Sequence, residues 1–249
     1  MKFPEVTDAP YFLTLGPHGF LWLLLRRDVP SLIDARLQPP APEPEPDQEP
    51  LLVGPEWHTL IDGSVRHLLE RQHLPAFLKR QPWFPCPSPP LSKVTIADWS
   101  VIEGGPEPVL LVIIAADFDD GSRVSYALPL LASTEERSAD IVRQSPEMVV
   151  ARLAGARRGV LHARLDGPAG RALVSAVMTE RRATMRRGTL TGIRLPGFDR
   201  LGLPPVIQEL QSAPFDFETR HSSAAFGERI VLKSERRLWP GPSPEIHVA

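Results

Sequence analysis

The chain has 249 residues, 42% of them hydrophobic, which is enough to bury one large core or two ordinary ones. Its formal net charge of -2 provides no concentrated basic surface, which argues against nucleic-acid or anionic-membrane partners. A single cysteine, Cys86, excludes an internal disulfide and a thiolate metal cluster and fits a reducing cytoplasm, where the protein is expected to reside.

Residues 1–28 carry two apolar runs, Pro10 to Leu15 and Phe20 to Leu25, around a Gly16-Pro17-His18-Gly19 turn, the pattern of a β-hairpin. Acidic and proline breaks before the first apolar run leave no room for a secretory leader, and Gly19 to Leu25 is too short to span a bilayer. Residues 29–56 read as a linker, because the Pro/Glu alternation from Gln38 onward has little apolar surface to offset the entropy of folding. A new domain is expected from Trp57. Val65, Leu68, Leu69, Leu74 and Phe77 recur at helical spacing, and Pro75 opens a second short helix. Trp83 and Phe84 are expected to pack in the core, given the area such rings bury.

Three strands follow. Ser92 to Ile102 alternates, Val109 to Ala116 is a continuous apolar run expected to be buried on both faces or central in its sheet, and Arg123 to Leu131 returns after an Asp-rich turn, which makes an antiparallel meander. Asp117, Asp119 and Asp120 lack the spacing of a calcium loop and suit a solvated hairpin turn. Thr134-Glu135-Glu136 starts a helical region whose apolar face would run through Ile141, Val142, Met148, Val149, Val150 and Leu153, split at Pro146. Gly159 to Leu165 is a strand with His162 on a polar outward position. A helix from Pro168 to Arg186 ends in the basic cluster Arg181, Arg182, Arg186 and Arg187, which offsets the helix dipole. Gly188 to Leu195 completes the domain, which spans residues 57–205 and is of α+β class with an antiparallel sheet and packed helices.

In residues 206–249, Gly227-Glu228 signals a turn and Arg229 to Leu232 reads as a short buried strand closing on Lys233. An ammonium held on a rigid strand is a pre-positioned counter-charge for nucleotide phosphates, as in kinases. No nucleophile elbow, zinc or iron ligand spacing, Walker loop or dinucleotide fingerprint occurs.

Three stretches carry a resemblance. Pro10 to Trp22 resembles the hairpin that closes trehalose synthase, and Leu74 to Phe84 resembles the opening of the maltokinase N-terminal cap. His221-Ser222-Ser223, then Phe226 to Lys233, then Arg236-Arg237-Leu238 and Pro240 to Glu245 resemble the first strands of the maltokinase kinase lobe. The resemblance divides the chain into a synthase remnant at 1–28, a linker at 29–56, a cap at 57–205 and the start of an ATP-binding lobe at 206–249. It implies Lys233 as the phosphate-contacting lysine, with Ser222 and Ser223 in the loop over the phosphates. It also implies ATP and Mg²⁺ as cofactors, maltose as acceptor, maltose 1-phosphate as product, and a trehalose synthase domain as a possible partner. His247 stands where the family carries a glutamate able to pair with the lysine, and Pro85-Cys86-Pro87 replaces a Gly-Gly-Lys turn. The metal ligands and the carboxylate that orients the acceptor are expected beyond Ala249, so these residues alone are not expected to catalyse. The alternative is a non-catalytic α+β interaction or regulatory module.

Overall fold

Val109–Phe118, strand β3, is apolar at nearly every position because it is covered on both sides. One face, with Leu110, Val112, Ile114 and Ala116, joins the main core, and the other, with Val109 and Leu111, joins a second cluster against a helix. In the computed structural model the described residues are 48–61, 63–84, 89–103, 107–204, 207, 210–214, 221–239 and 241. The hairpin expected over 1–28, Pro85-Cys86-Pro87 and His247 lie outside them. The described residues all fall within one compact unit.

The mixed α+β architecture is built on a curled, mostly antiparallel sheet. Leu51–Val53 is β1, Leu91–Glu103 is β2, Arg123–Thr134 is β4, Val149–Gly155 is β5 and Gly159–His162 is β6. Their order is β1-β5-β6-β4-β3-β2, and only β1 and β5 pair in parallel. The meander β2-β3-β4 is the one expected from the alternating and continuous apolar runs. Its turn is solvated as anticipated: Asp117 pairs with Arg123, the Asp120 carboxylate accepts the Ser122 N–H, and Gly121 takes φ 82°.

Helices α1 (Gly63–Leu68) and α2 (Leu74–Arg80) are joined by one wide turn, Leu69–His73, and bury Leu69, Leu74, Phe77 and Leu78 on one side of the sheet. Trp83 and Phe84 continue this layer in an aromatic group with Tyr126 and Phe118, so the expected core role holds. Helix α3 (Glu135–Gln144) begins after Thr134 as the sequence suggested.

Four expectations need correction. Leu51–Val53, assigned to the linker, is strand β1, because Leu51 and Val53 are apolar and find the open edge of β5. Val149 to Leu153 does not continue a helix beyond Pro146. The β-branched pair Val149-Val150 enters strand β5, and Gly155 and Gly159 adopt positive φ in the turn to β6. His162 does not face outward but is buried. Helix α4 stops at Met178 rather than Arg186. Past Glu180 at φ 47°, the chain forms the small hairpin β7 (Arg182–Thr184) and β8 (Thr189–Thr191). Gly192 passes so close to α4 that a Cβ there would lie 1.9 Å from the Ala176 carbonyl oxygen.

The C-terminal strands β9 (Ser212–Pro214), β10 (His221–Phe226) and β11 (Ile230–Glu235) form a separate three-stranded antiparallel sheet. It packs on the face of α4 opposite the main sheet: Ala169 and Ala172 meet β3, whereas Val174 meets Ala224 and Phe226. Strand β12 (Arg237–Leu238) then adds to β4 of the main sheet. The described residues between 207 and 241 therefore pack with those between 48 and 204 in one unit. The exposed ladder of β4 beside Ser125 and Tyr126 is what captures them.

Candidate functional site

Two places bring polar chemistry together. The first is the lysine hairpin. Gly227 at φ 58° turns β10 into β11, and the register sets Ser223 opposite Lys233 and Ser222 opposite Ser234. Strand pleating then decides the faces: Ile230 and Leu232 turn toward α4, whereas Val231 and Lys233 turn away from it. Lys233 is exposed, in the middle of β11 rather than at its end, and Val231 beside it is 53% exposed. The strand is thus half-buried, not fully buried as its composition suggested, because only one face meets α4. Ser222 and Ser223 belong to β10 and not to a loop, since their backbones are taken up in the ladder with β11. Directly opposed residues share a face, so the Ser223 hydroxyl and the Lys233 ammonium are neighbours on the outward surface. Such a pair presents a cation and a hydroxyl donor to an anion.

The strand continues into a second convergence. Arg236 is buried with its guanidinium 4.6 Å from the centre of the Trp83 ring, and its carbonyl accepts the Ala127 N–H at 2.7 Å. Burial lowers the Arg236 pKa to about 10. The two stretches singled out at Leu74 to Phe84 and Arg236 to Leu238 therefore meet in space, 152 residues apart at Trp83 and Phe84 on one side and Arg236 on the other if counted from Phe84 to Arg236.

The second place is a cleft of about 360 Å³ between the end of β4, α3, the end of β6 and the start of α4. At its floor, buried Ser133 and His162 lie 2.9 Å apart, Oγ to Nε2. The Arg164 backbone N–H donates to His162 Nδ1 at 3.4 Å, which puts the ring proton on Nε2 and directs it to the Ser133 oxygen. Burial first, and the Arg164 charge second, lower the His162 pKa to about 4, so the ring is neutral at pH 7. A histidine that donates to its serine does not activate it. The pair is a polar anchor between β4 and β6, not a nucleophile and base. Arg164 grips Asp166 through two bonds, Nε to Oδ1 at 3.1 Å and Nη2 to Oδ2 at 2.5 Å, and this contact raises its pKa.

The sequence reading missed this cleft because its members, from 131 to 212, have no motif spacing. The one available signal was the run His162, Arg164, Asp166, three polar residues alternating out of an apolar strand. Among the described residues no group of three or more His, Cys, Asp or Glu can hold a metal ion. Among them, too, no helix is long and apolar enough to cross a membrane. No protein-family profile matches the chain, and no curated protein matches it.

Proposed function

We propose that the chain is the cap and lysine-bearing hairpin of a maltokinase-type phosphotransferase, in which ATP phosphorylates maltose to maltose 1-phosphate. The observation that carries this is the outward pairing of Ser223 with Lys233 on adjacent strands. Phosphoryl transfer rests on positioning and on charge neutralisation, and a lysine fixed mid-strand supplies a counter-charge whose reach is limited by the ladder around it. The residues here fit contact with nucleotide phosphates: Lys233 as the cation and Ser223, directly opposite it on β10, as the hydroxyl donor. No group suited to Mg²⁺ exists among the described residues, so no step is assigned to the metal. The share of this chain is binding and orientation, not transfer.

Titration of the chain with Mg·ATP tests the proposal. Binding is expected, and Lys233→Ala should weaken it about tenfold, the loss of roughly one charge-assisted contact. Absence of ATP binding, or equal binding by the variant, sinks it.

A non-catalytic interaction or regulatory module is the alternative, and one observation favours it. Strand β12 joins the main sheet and β9-β10-β11 lies on α4, so the described C-terminal strands pack as part of one unit with the main sheet. Under that alternative, ATP does not bind.

A further inference from the structure

The cleft between α3 and α4 holds more cation than its carboxylates account for. Three arginines line it, Arg137, Arg164 and Arg171, together with two acids, Asp140 and Asp166. Both acids are already held, Asp166 by the two-pronged Arg164 contact and Asp140 by Arg143 from outside the lining. Arg137 is held in turn by Glu107. Arg171 has no carboxylate partner among the described residues. Its Nη2 reaches only the Leu210 carbonyl oxygen, at 3.4 Å, and its Nε is buried without an acceptor. A guanidinium left this far short of its five acceptors, in a cleft wall, is a site waiting for an anion.

Other donors point the same way. The Ser133 oxygen accepts a hydrogen bond from the His162 Nε2–H, which leaves its own hydroxyl hydrogen to give. The eleven-residue helix α4 starts at Pro168 on the cleft wall, so its positive dipole end lies there. Among the described residues the lining contains no Phe, Tyr or Trp, and hence no large ring on which a sugar or a base could stack. Its volume admits a small metabolite.

We infer that this cleft binds a small oxyanion, the carboxylate or phosphate group of a metabolite, with Arg171 as its principal cation and the Ser133 hydroxyl as a second donor. The planar fork of arginine matches two oxygens of either group. The site is independent of the Lys233 surface and of the maltokinase proposal.

Calorimetric titration of the whole chain at low ionic strength, with inorganic phosphate and with acetate in separate runs, provides the test. At least one should bind, and the stronger of the two identifies the headgroup. Arg171→Gln should weaken that binding at least about tenfold and Arg171→Lys less, because the charge is kept but the fork is lost. If Arg171→Gln does not fold by circular dichroism, Ser133→Ala decides, with a several-fold loss expected. Lys233→Ala should leave phosphate binding unchanged; if it abolishes it, the anion sits on β11 and the cleft assignment falls while the nucleotide proposal stands. No binding of either anion, or equal binding by wild type and a folded Arg171→Gln, overturns the inference.

Discussion

Strands β3 and β11 make the sharpest contrast in the molecule. Both are β-branched apolar runs in the sequence, yet β3 lies between two layers and is buried along almost its whole length, while β11 is covered by α4 on one face only and shows Val231 and Lys233 to solvent. The difference teaches that a run of Ile, Val and Leu reports how a strand is made, not how many layers cover it. Around β3 lies the main core; around β11 the outer face meets solvent.

The contrast is broken most directly by truncation. Phe77→Ala, beneath the main sheet, should cost about 3–5 kcal/mol, whereas Val231→Ala on the open face of β11 should stay within about 0.5 kcal/mol. Urea denaturation of the two variants measures this, and similar losses would remove the distinction.

Acid should act on the main sheet next. The folded pKa of His162, about 4, lies below its ordinary value of 6.5, so the unfolded chain takes up the proton first. The stability from keeping the ring neutral is complete above about pH 6.5 and is lost progressively as pH falls toward 4, by roughly 3 kcal/mol in all. His162→Gln should flatten that slope between pH 6.5 and 4 in denaturation series. A slope that survives the substitution assigns the acid sensitivity to other groups.

The junction between the two regions gives a smaller and more local effect. A Cβ at Gly170 would stand 2.6 Å from Phe226 Cζ and 2.2 Å from the Leu165 carbonyl oxygen. Gly170→Ala should therefore cost about 1–3 kcal/mol, and the cost should shrink when Phe226 is also cut to alanine, because one of the two collisions is then relieved. Hydrogen exchange should show β10 and β11 losing protection before β3. Uniform loss would mean that the small sheet does not open separately.

Smallest in stability is Lys233→Ala, expected within about 0.5 kcal/mol at its exposed position, even as it weakens ATP binding. A variant that both unfolds and loses ATP would undo the division of labour between the faces.

The meander, the first helices and the Trp83-Phe84 packing were legible in the sequence because each depends on local periodicity or on a large apolar ring. Val149 to Leu153 was not, since a short apolar run fits a helix face or a buried strand equally well, and only the neighbouring β6 made it β5. The lysine surface was legible in part: the residues could be named, but Ser222 and Ser223 became strand positions through pairing with β11. Of the arginine cleft only the alternating run His162, Arg164, Asp166 was visible in the sequence. The cleft's members come from β4, α3, β6 and α4, and nothing short of the fold makes Ser133 and His162 neighbours.

By itself the sequence determined the elements that local periodicity spells out, the β2-β3-β4 meander and the first helices. Continuous apolar runs, Gly turns and helical spacing are local in origin, and their energetics act between residues a few positions apart. The tertiary structure alone decided what covers each face: that Leu51 to Val53 closes an edge of the sheet, that α4 is shared between two sheets, and that β12 returns to β4. Those outcomes depend on which unpaired edge and which apolar face remain once the central strands are in place, and that competition is settled only by the whole chain.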